Sequence, residues 1–224
     1  MQSWKDIFPK KGEIHFAGAL ENNEDTGTLQ YLASTAMEAG FSTRVLDMQA
    51  LDLQNGRFFD PAGELVNRCF KLYPWEWMVD ESPDGCLAEM EWLEPIWKLV
   101  MSNKAILATL YELFPDSPYV LPCYLSRPRS GLFCKKPVFS REGHNVSVVD
   151  IRDWEEYVRI AETEGDYNTG AYVYQEYVEP TAYSGRYPVI GSWIIGGEAA
   201  GIGIRENRME VTDNLSEFVP HIIG

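Results

Sequence analysis

The sequence predicts a mixed fold: a small α/β subdomain over residues 1–80, then a larger α+β portion over residues 81–224 that is largely antiparallel. Two observations predict it. Residues 13–48 alternate strand, helix and strand within about 35 residues, the pattern of a βαβ unit and hence of a small parallel sheet. From residue 121 onward, β-prone runs are separated mostly by turn residues, the spacing of antiparallel pairing.

Residues 13–17 (Glu-Ile-His-Phe-Ala) read as the first strand. A polar, acidic loop over 21–25 leads into a helix from about Thr26 to Ala39, capped by Asp25 or Thr26 and closed by Gly40. Leu29, Leu32, Ala33, Ala36 and Met37 recur at helical spacing as its apolar face. Ser42 to Met48 is the second strand. The acidic loop lies at the carboxyl end of the first strand, where α/β ligand sites usually sit, but no Gly-x-Gly-x-x-Gly pattern marks a dinucleotide site.

Turn signals at Asn55-Gly56 and Asp60-Pro61-Ala62-Gly63 bracket Arg57-Phe58-Phe59. Leu65 to Tyr73 reads as a strand. Pro74-Trp75-Glu76-Trp77-Met78 is an aromatic corner around one carboxylate; a packed corner is the reading preferred over a substrate role for Glu76. A helix is expected from Ser102, its N-cap, to Phe114, burying Ile106, Leu107, Leu110, Leu113 and Phe114. Lys104 sits in its first turn, where the helix dipole disfavours a cation, so a ligand is one reason for it to be there.

Residues 121–125 read as a strand, 127–131 as a loop, and 153–161 as a short helix with Trp154, Tyr157 and Val158 on one side. Ala171 to Val178 is strongly β-prone. Tyr187–Ile195 and Glu198–Glu206 form a hairpin across Gly196-Gly197.

Composition narrows the function. With 45% hydrophobic and 24% charged residues, the chain buries a sizeable core. The formal net charge of −15 argues against nucleic acid or an anionic membrane as partner, since both need a basic face. It is compatible with a cationic substrate such as a polyamine, or with solubility alone. Cys69, Cys86, Cys123 and Cys134 form no Cys-x-x-Cys pair, which with only three histidines argues against a zinc site and points to reduced thiols in a cytoplasmic protein. No signal-peptide core and no membrane-length apolar run occurs.

The stretch richest in chemistry is Phe133 to Val149: a strand, a loop holding Lys135, Lys136, Arg141, Gly143 and Asn145, and a second strand. A glycine lets backbone N–H groups approach a ligand, and lysine and arginine beside it suit a phosphate. A solvated hairpin with an incidental charge cluster is the alternative.

Five ordered blocks, taken together, resemble the glutathionylspermidine synthase family over nearly the whole chain. They are 71–76 (Lys-Leu-Tyr-Pro-Trp-Glu), Glu94-Pro95 with Trp97-Lys98, 102–107 (Ser-Asn-Lys-Ala-Ile-Leu), Lys136-Pro137 with 141–145 (Arg-Glu-Gly-His-Asn), and Gly191-Ser192-Trp193 with 200–206. The likeness is greatest to stand-alone bacterial members. It implies an ATP-grasp fold with a small pre-ATP-grasp-like subdomain, and an ATP-dependent carboxylate–amine ligase working through an acyl phosphate. It implies small-molecule substrates, a peptide acid and an amine; in the family's named enzyme these are glutathione and the polyamine spermidine. Lys104 and Lys136 match the family's two nucleotide-phosphate lysines, with Lys135 as the competitor of Lys136. Ser140, Arg141, Gly143 and Asn145 match the loop that closes over the phosphates. Gln175, Glu176 and Val178 match the hinge strand that meets adenine and ribose, and Arg205 a role beside the transferred phosphate or substrate carboxylate.

The family's magnesium-holding acids, an aspartate and a Glu-x-Asn pair, stand in an upstream segment, and no Glu-x-Asn precedes the βαβ unit here. The expectation is that Mg²⁺ ligands lie outside this chain, which is then a fragment, one half of a split enzyme completed by an N-terminal chain, or an inactive relative. Asp213 and Asn214 are the in-chain substitutes, against a reading as solvated turn residues. Two further readings stand beside the ligase: a non-catalytic nucleotide-binding or assembly subunit, and a phosphate-binding α/β protein unrelated to ligation.

Overall fold

A computed structural model describes residues 2–153, 157–167, 170–211 and 216–222. The chain divides into two compact units, Met1–Leu99 and Val100–Gly224. The division falls later than residue 80 because the last strand of the first sheet is supplied by residues 91–93.

The first unit grows from β1 (Glu13–Gly18), whose residues from Ile14 onward are all buried. Burial on both faces is what a central parallel strand requires. Ile14 and Phe16 point to one face and meet α1 (Gln2–Ile7) and α2 (Asn23–Glu38), packing with Trp4, Phe8, Leu29, Ala33, Ala36 and Phe41. Phe16 lies between Trp4 and Phe70, each ring centroid 5.6 Å away. Trp4 Nε1 donates to Thr35 Oγ1 (2.9 Å), which fastens the short α1 to α2.

Helix α2 starts three residues before the position expected, because its cap is Asn22 rather than Asp25 or Thr26. Asn22 Oδ1 accepts from the N–H groups of Glu24 (2.9 Å) and Asp25 (3.4 Å). The acidic loop is thereby the helix's first turn, where carboxylates favour the dipole. At the other end Gly40 takes φ 94°, its N–H reaching Met37 O and that of Phe41 reaching Ala36 O. This is a Schellman closure, in which glycine adopts the left-handed conformation without cost. The buried stripe is narrower than expected: Leu29, Ala33 and Ala36 are buried, and Met37 is exposed.

Strand β2 (Ser42–Asp47) pairs in parallel with β1, and a 3₁₀ turn (Met48–Ala50) follows. Strands β3 (Asp52–Gln54), β4 (Arg57–Phe59) and β5 (Leu65–Val66) make a small antiparallel sheet. The run 65–73 is therefore two strands in two sheets: β6 (Arg68–Leu72) joins β1 in parallel. Helices α3 (Trp75–Glu81) and α4 (Pro83–Cys86) lead to β7 (Glu91–Leu93), which closes the parallel sheet in the order β2-β1-β6-β7. A second core packs Ala17, Leu46, Phe58, Val66, Cys69, Trp75, Met78 and Cys86.

The aromatic corner is a packed one. Trp75 is buried edge-on to Trp92, and Lys71 sits 4.0 Å over the Trp75 ring while donating to Tyr73 O at 2.7 Å. Glu76 stands in the first turn of α3, a favourable place for a carboxylate. Burial pushes the Cys69 thiol up to about 12.

In the second unit, α5 (Leu99–Ser102) ends where one long helix was expected to begin. Helix α6 (Ala105–Leu113) restarts after Asn103, whose Oδ1 accepts from Ala105 N at 2.8 Å. Ala108 is its buried contact, packed with Cys123 and Val173; Leu113 and Phe114 are exposed. Strands β8 (Cys123–Tyr124), β9 (Gly131–Pro137), β10 (Ser147–Ile151), β11 (Tyr157–Glu162) and β12 (Tyr172–Glu176) form an antiparallel sheet in the order β11-β10-β9-β12-β8. β11 replaces the helix expected at 153–161: the free edge of β10 offers Tyr157, Val158 and Ala161 a ladder, and pairing overrides helical spacing. Trp154 lies outside the described residues.

A third sheet holds β13 (Tyr187–Ile195), β14 (Glu198–Asn207) and β15 (Glu217–Val219) in that order. Gly196 and Gly197, at φ 63° and 84°, make the two-residue turn. β15 is too short to show alternation in sequence.

His15 gives the first unit a pH dependence. Its side chain is 2% exposed, 3.8 Å from both Glu13 and Asp60. Arg44 bonds both of those carboxylates, so they are already paired. Burial dominates and holds the imidazole below its usual range, while Glu13 and Asp60 pull the other way and Arg44 adds to the lowering. A depressed folded value means that the unfolded chain takes the proton first. Stability is full above the unfolded value and falls as pH drops below about 6.5. Urea midpoints taken from pH 8 to pH 5 should decline through that window, and the His15→Asn variant should show a flatter decline.

Candidate functional site

The candidate site is built on β9, the central strand of its sheet. Across β12, Lys136 faces Val173 and Cys134 faces Gln175. With a side-chain period of two, Cys134, Lys136, Val173 and Gln175 share one face, and Phe133, Lys135, Tyr172 and Tyr174 the other. Lys136 Nζ donates to Gln175 Oε1 at 2.7 Å. Lys135 instead sits 3.9 Å over the Tyr172 ring. The pleat thus separates two adjacent lysines that sequence alone left in competition.

Lys104 stands just before α6. Its N–H donates to Val138 O (2.8 Å), and Val138 N donates to Ala171 O (3.0 Å). Its Nζ donates to Ser140 O and, at 2.9 Å, to Ser140 Oγ. Lys104 and Ser140 are therefore joined directly, as are Lys136 and Gln175.

From Ser140 the loop runs through Glu142, Gly143 and Asn145 at φ 56°, 74° and 55°. Left-handed backbone is costly away from glycine and is kept by surrounding contacts. Those contacts come from residues 163–167. Asn145 Oδ1 accepts from Tyr167 N at 2.8 Å. Thr163 Oγ1 donates to Gly143 O and accepts from Val146 N at 3.0 Å. Arg141 is exposed at the tip, its O accepting from His144 N at 2.9 Å.

Beyond β12, Glu176 N donates to Pro122 O (2.7 Å) and Tyr177 N to Leu132 O (3.0 Å), so both groups are committed within the protein. The Glu176 and Val178 side chains are exposed. Tyr177 donates to Glu210 Oε2 at 2.6 Å; burial, then Glu210, raises its hydroxyl above the usual phenol range. Cys123 and Cys134 flank Gln175 on neighbouring strands. Burial pushes both thiols up, and Lys136 pulls the other way.

Arg205 lies on β14, opposite Val189 and Phe218, its guanidinium carbon 5.8 Å from the Phe218 ring. No group of three His, Cys, Asp or Glu side chains among the described residues is placed to hold a metal ion. Asp213 and Asn214 lie outside them. Sequence reading missed Thr163, Gly165 and Tyr167, because a polar turn carries no periodic signal of what it supports.

A parallel α/β unit followed by an antiparallel sheet with a glycine-bearing hairpin is an ATP-grasp-type architecture. The crystal structure of D-cycloserine synthetase DcsG matches it in fold with a TM-score of 0.51, over 87% of this chain and 68% of that one, at 14% identity. The chain belongs to the glutathionylspermidine synthase family: the family model described as glutathionylspermidine synthase preATP-grasp matches residues 1–224. A Haemophilus influenzae protein provisionally designated an acid–amine ligase is 34% identical over 221 residues, covering 94% of this chain and 56% of the relative. Trypanothione synthetase of Crithidia fasciculata is 28% identical over 92% of this chain and 35% of its own length. The bifunctional glutathionylspermidine synthetase/amidase of Escherichia coli is 26% identical over 89% and 36%. The chain spans about half, or less, of the length of these relatives. No helix among the described residues is long and apolar enough to cross a membrane.

A Cβ placed on Gly165 would stand 2.4 Å from His144 Cβ. Gly165→Ala should therefore displace the loop or lower stability by roughly 1–3 kcal/mol, the usual cost of overpacking. Denaturant unfolding and amide exchange at residues 141–146 would register it.

Proposed function

We propose that this chain supplies the nucleotide-binding part of an ATP-dependent acid–amine ligase. The observation that carries the reading is Lys136, on the central strand of its sheet, whose ammonium donates to the neutral Gln175 Oε1 at 2.7 Å, with Lys104 fastened to Ser140 at the start of the hairpin loop. A cation held by an amide oxygen keeps its charge for an anion, and triphosphate recognition depends on such positioned charge.

In this reading Lys104 and Lys136 meet the phosphates, and Ser140, Arg141, Gly143 and Asn145 cover them. Gln175, Glu176 and Val178 border adenine and ribose. Arg205 neutralises the transferred phosphoryl group or the substrate carboxylate. A carboxylate oxygen of a peptide acid attacks the γ-phosphorus, ADP departs, and an acyl phosphate remains. The amine then attacks the acyl carbon, the carbon–oxygen bond to phosphate breaks, and the amine's surplus proton leaves with the formation of the amide. Mg²⁺, where bound, offsets charge on the triphosphate. Its ligands are assigned to polypeptide outside the described residues, with a complementing N-terminal chain as one source.

The names of the relatives support glutathione-like acids and polyamine-like amines as the substrate classes. The four free thiols support a reducing, cytoplasmic setting.

The test is nucleotide binding followed by turnover. Lys136→Ala and Lys104→Ala should each weaken ATP binding by about 10-fold or more, the loss of a charge-assisted hydrogen bond. Calorimetry with ATP measures this directly, and wild-type affinity in Lys136→Ala overturns the reading. ADP release by the protein, complemented where needed, should require both the acid and the amine.

A further inference from the structure

Thr163 stands outside the strand pairs that carry the lysines, yet it makes four contacts with the hairpin loop, one of them a longer approach of Oγ1 to Val146 O at 3.2 Å. Its Oγ1 donates to Gly143 O and accepts from Val146 N at 3.0 Å. Its own N–H donates to Val146 O at 2.9 Å. Two residues on, Gly165 leaves no room for a Cβ beneath His144, and Tyr167 N binds Asn145 Oδ1. The loop has two anchors: Lys104 holds Ser140 at its start, and residues 163–167 hold Gly143 to Val146 at its end. Between them Glu142, Gly143 and Asn145 all have positive φ. Two of the three are not glycine, so the conformation depends on external contacts to persist.

We infer that Thr163 is a positioning residue for the loop that covers the nucleotide phosphates: its hydroxyl fixes the Gly143 carbonyl and the Val146 N–H, and so the left-handed turn between them. The inference rests on the nucleotide-binding reading given above. It assigns Thr163 an effect on triphosphate affinity without any contact to the nucleotide. Valine has the same shape but neither donates nor accepts, and leaves the Val146 N–H unpaired in a buried position. Serine keeps the hydroxyl.

The test compares wild type, Thr163→Val, Thr163→Ser and Lys136→Ala for binding of ATP and of AMP. Thr163→Val should lose about 10-fold in ATP affinity, the effect of one buried hydrogen bond left unmade, with AMP affinity unchanged. Thr163→Ser should keep the wild-type ratio of the two affinities. Faster amide exchange at residues 143–146 in Thr163→Val alone would agree. If Lys136→Ala loses ATP affinity and Thr163→Val does not, the inference is wrong and the nucleotide reading stands. Equal losses for ATP and AMP in Thr163→Val, or failure of serine to restore the ratio, assign the residue to general stability and overturn it too. If Lys136→Ala binds ATP as wild type, the underlying reading itself fails.

Discussion

The antiparallel pairing of β9 with both β10 and β12 is the constraint on which the second unit depends. A strand paired on both sides cannot slip, since a one-residue shift would turn every side chain to the opposite face. Val173, fully buried opposite Lys136, and Val149, buried opposite Phe133, hold that register from the two faces. The Lys136–Gln175 contact follows from it, and so does the stacking of Lys135 on Tyr172. The Lys136 cation is thus placed by apolar burial on neighbouring strands, not by the charges around it.

Charge is handled differently in the two units. In the first, Arg44 joins Glu13 and Asp60, so a cation and two anions largely neutralise one another around a buried imidazole. In the second, the Lys136 ammonium donates to a neutral amide oxygen, that of Gln175. Neutral acceptors orient an ammonium without cancelling its field. A chain with a formal net charge of −15 can in this way present locally positive potential to an anion.

Much of this was legible in the sequence. The βαβ unit, the β9–β10 hairpin and the Gly196-Gly197 turn all follow from local rules, because their signals lie within neighbouring residues. The elements that failed were decided at a distance. Residues 157–162 became a strand because the edge of β10 was open to them, and α6 was cut short of Ser102 by the Asn103 side chain. Asn22 displaced Asp25 as the cap of α2. At the site, the separation of Lys135 and Lys136 onto opposite faces needed the strand register, and the support from Thr163 needed the return of the chain after β11. The residues proposed to carry chemistry stand in recognisable sequence blocks, whereas the contacts that hold them in place come from turns that carry no such signal.

The strand pairings also differ in how much chain each must close. β13 and β14 are joined by two glycines and share a ladder of nine and ten residues, so their association closes almost no loop. β9 and β12 meet only after residues 138–171 have been spanned, and β8 and β12 after residues 125–171. Loop-closure entropy rises with that separation, and non-local pairing dominates the slow part of assembly. The sheet that carries Lys136 and Gln175 is therefore the entropically expensive one, while the glycine-turned hairpin beside Arg205 is nearly free to form. Any step that shortens the search of β12 for β9, including early placement of the 163–167 turn on the hairpin loop, bears on the rate at which the site comes into being.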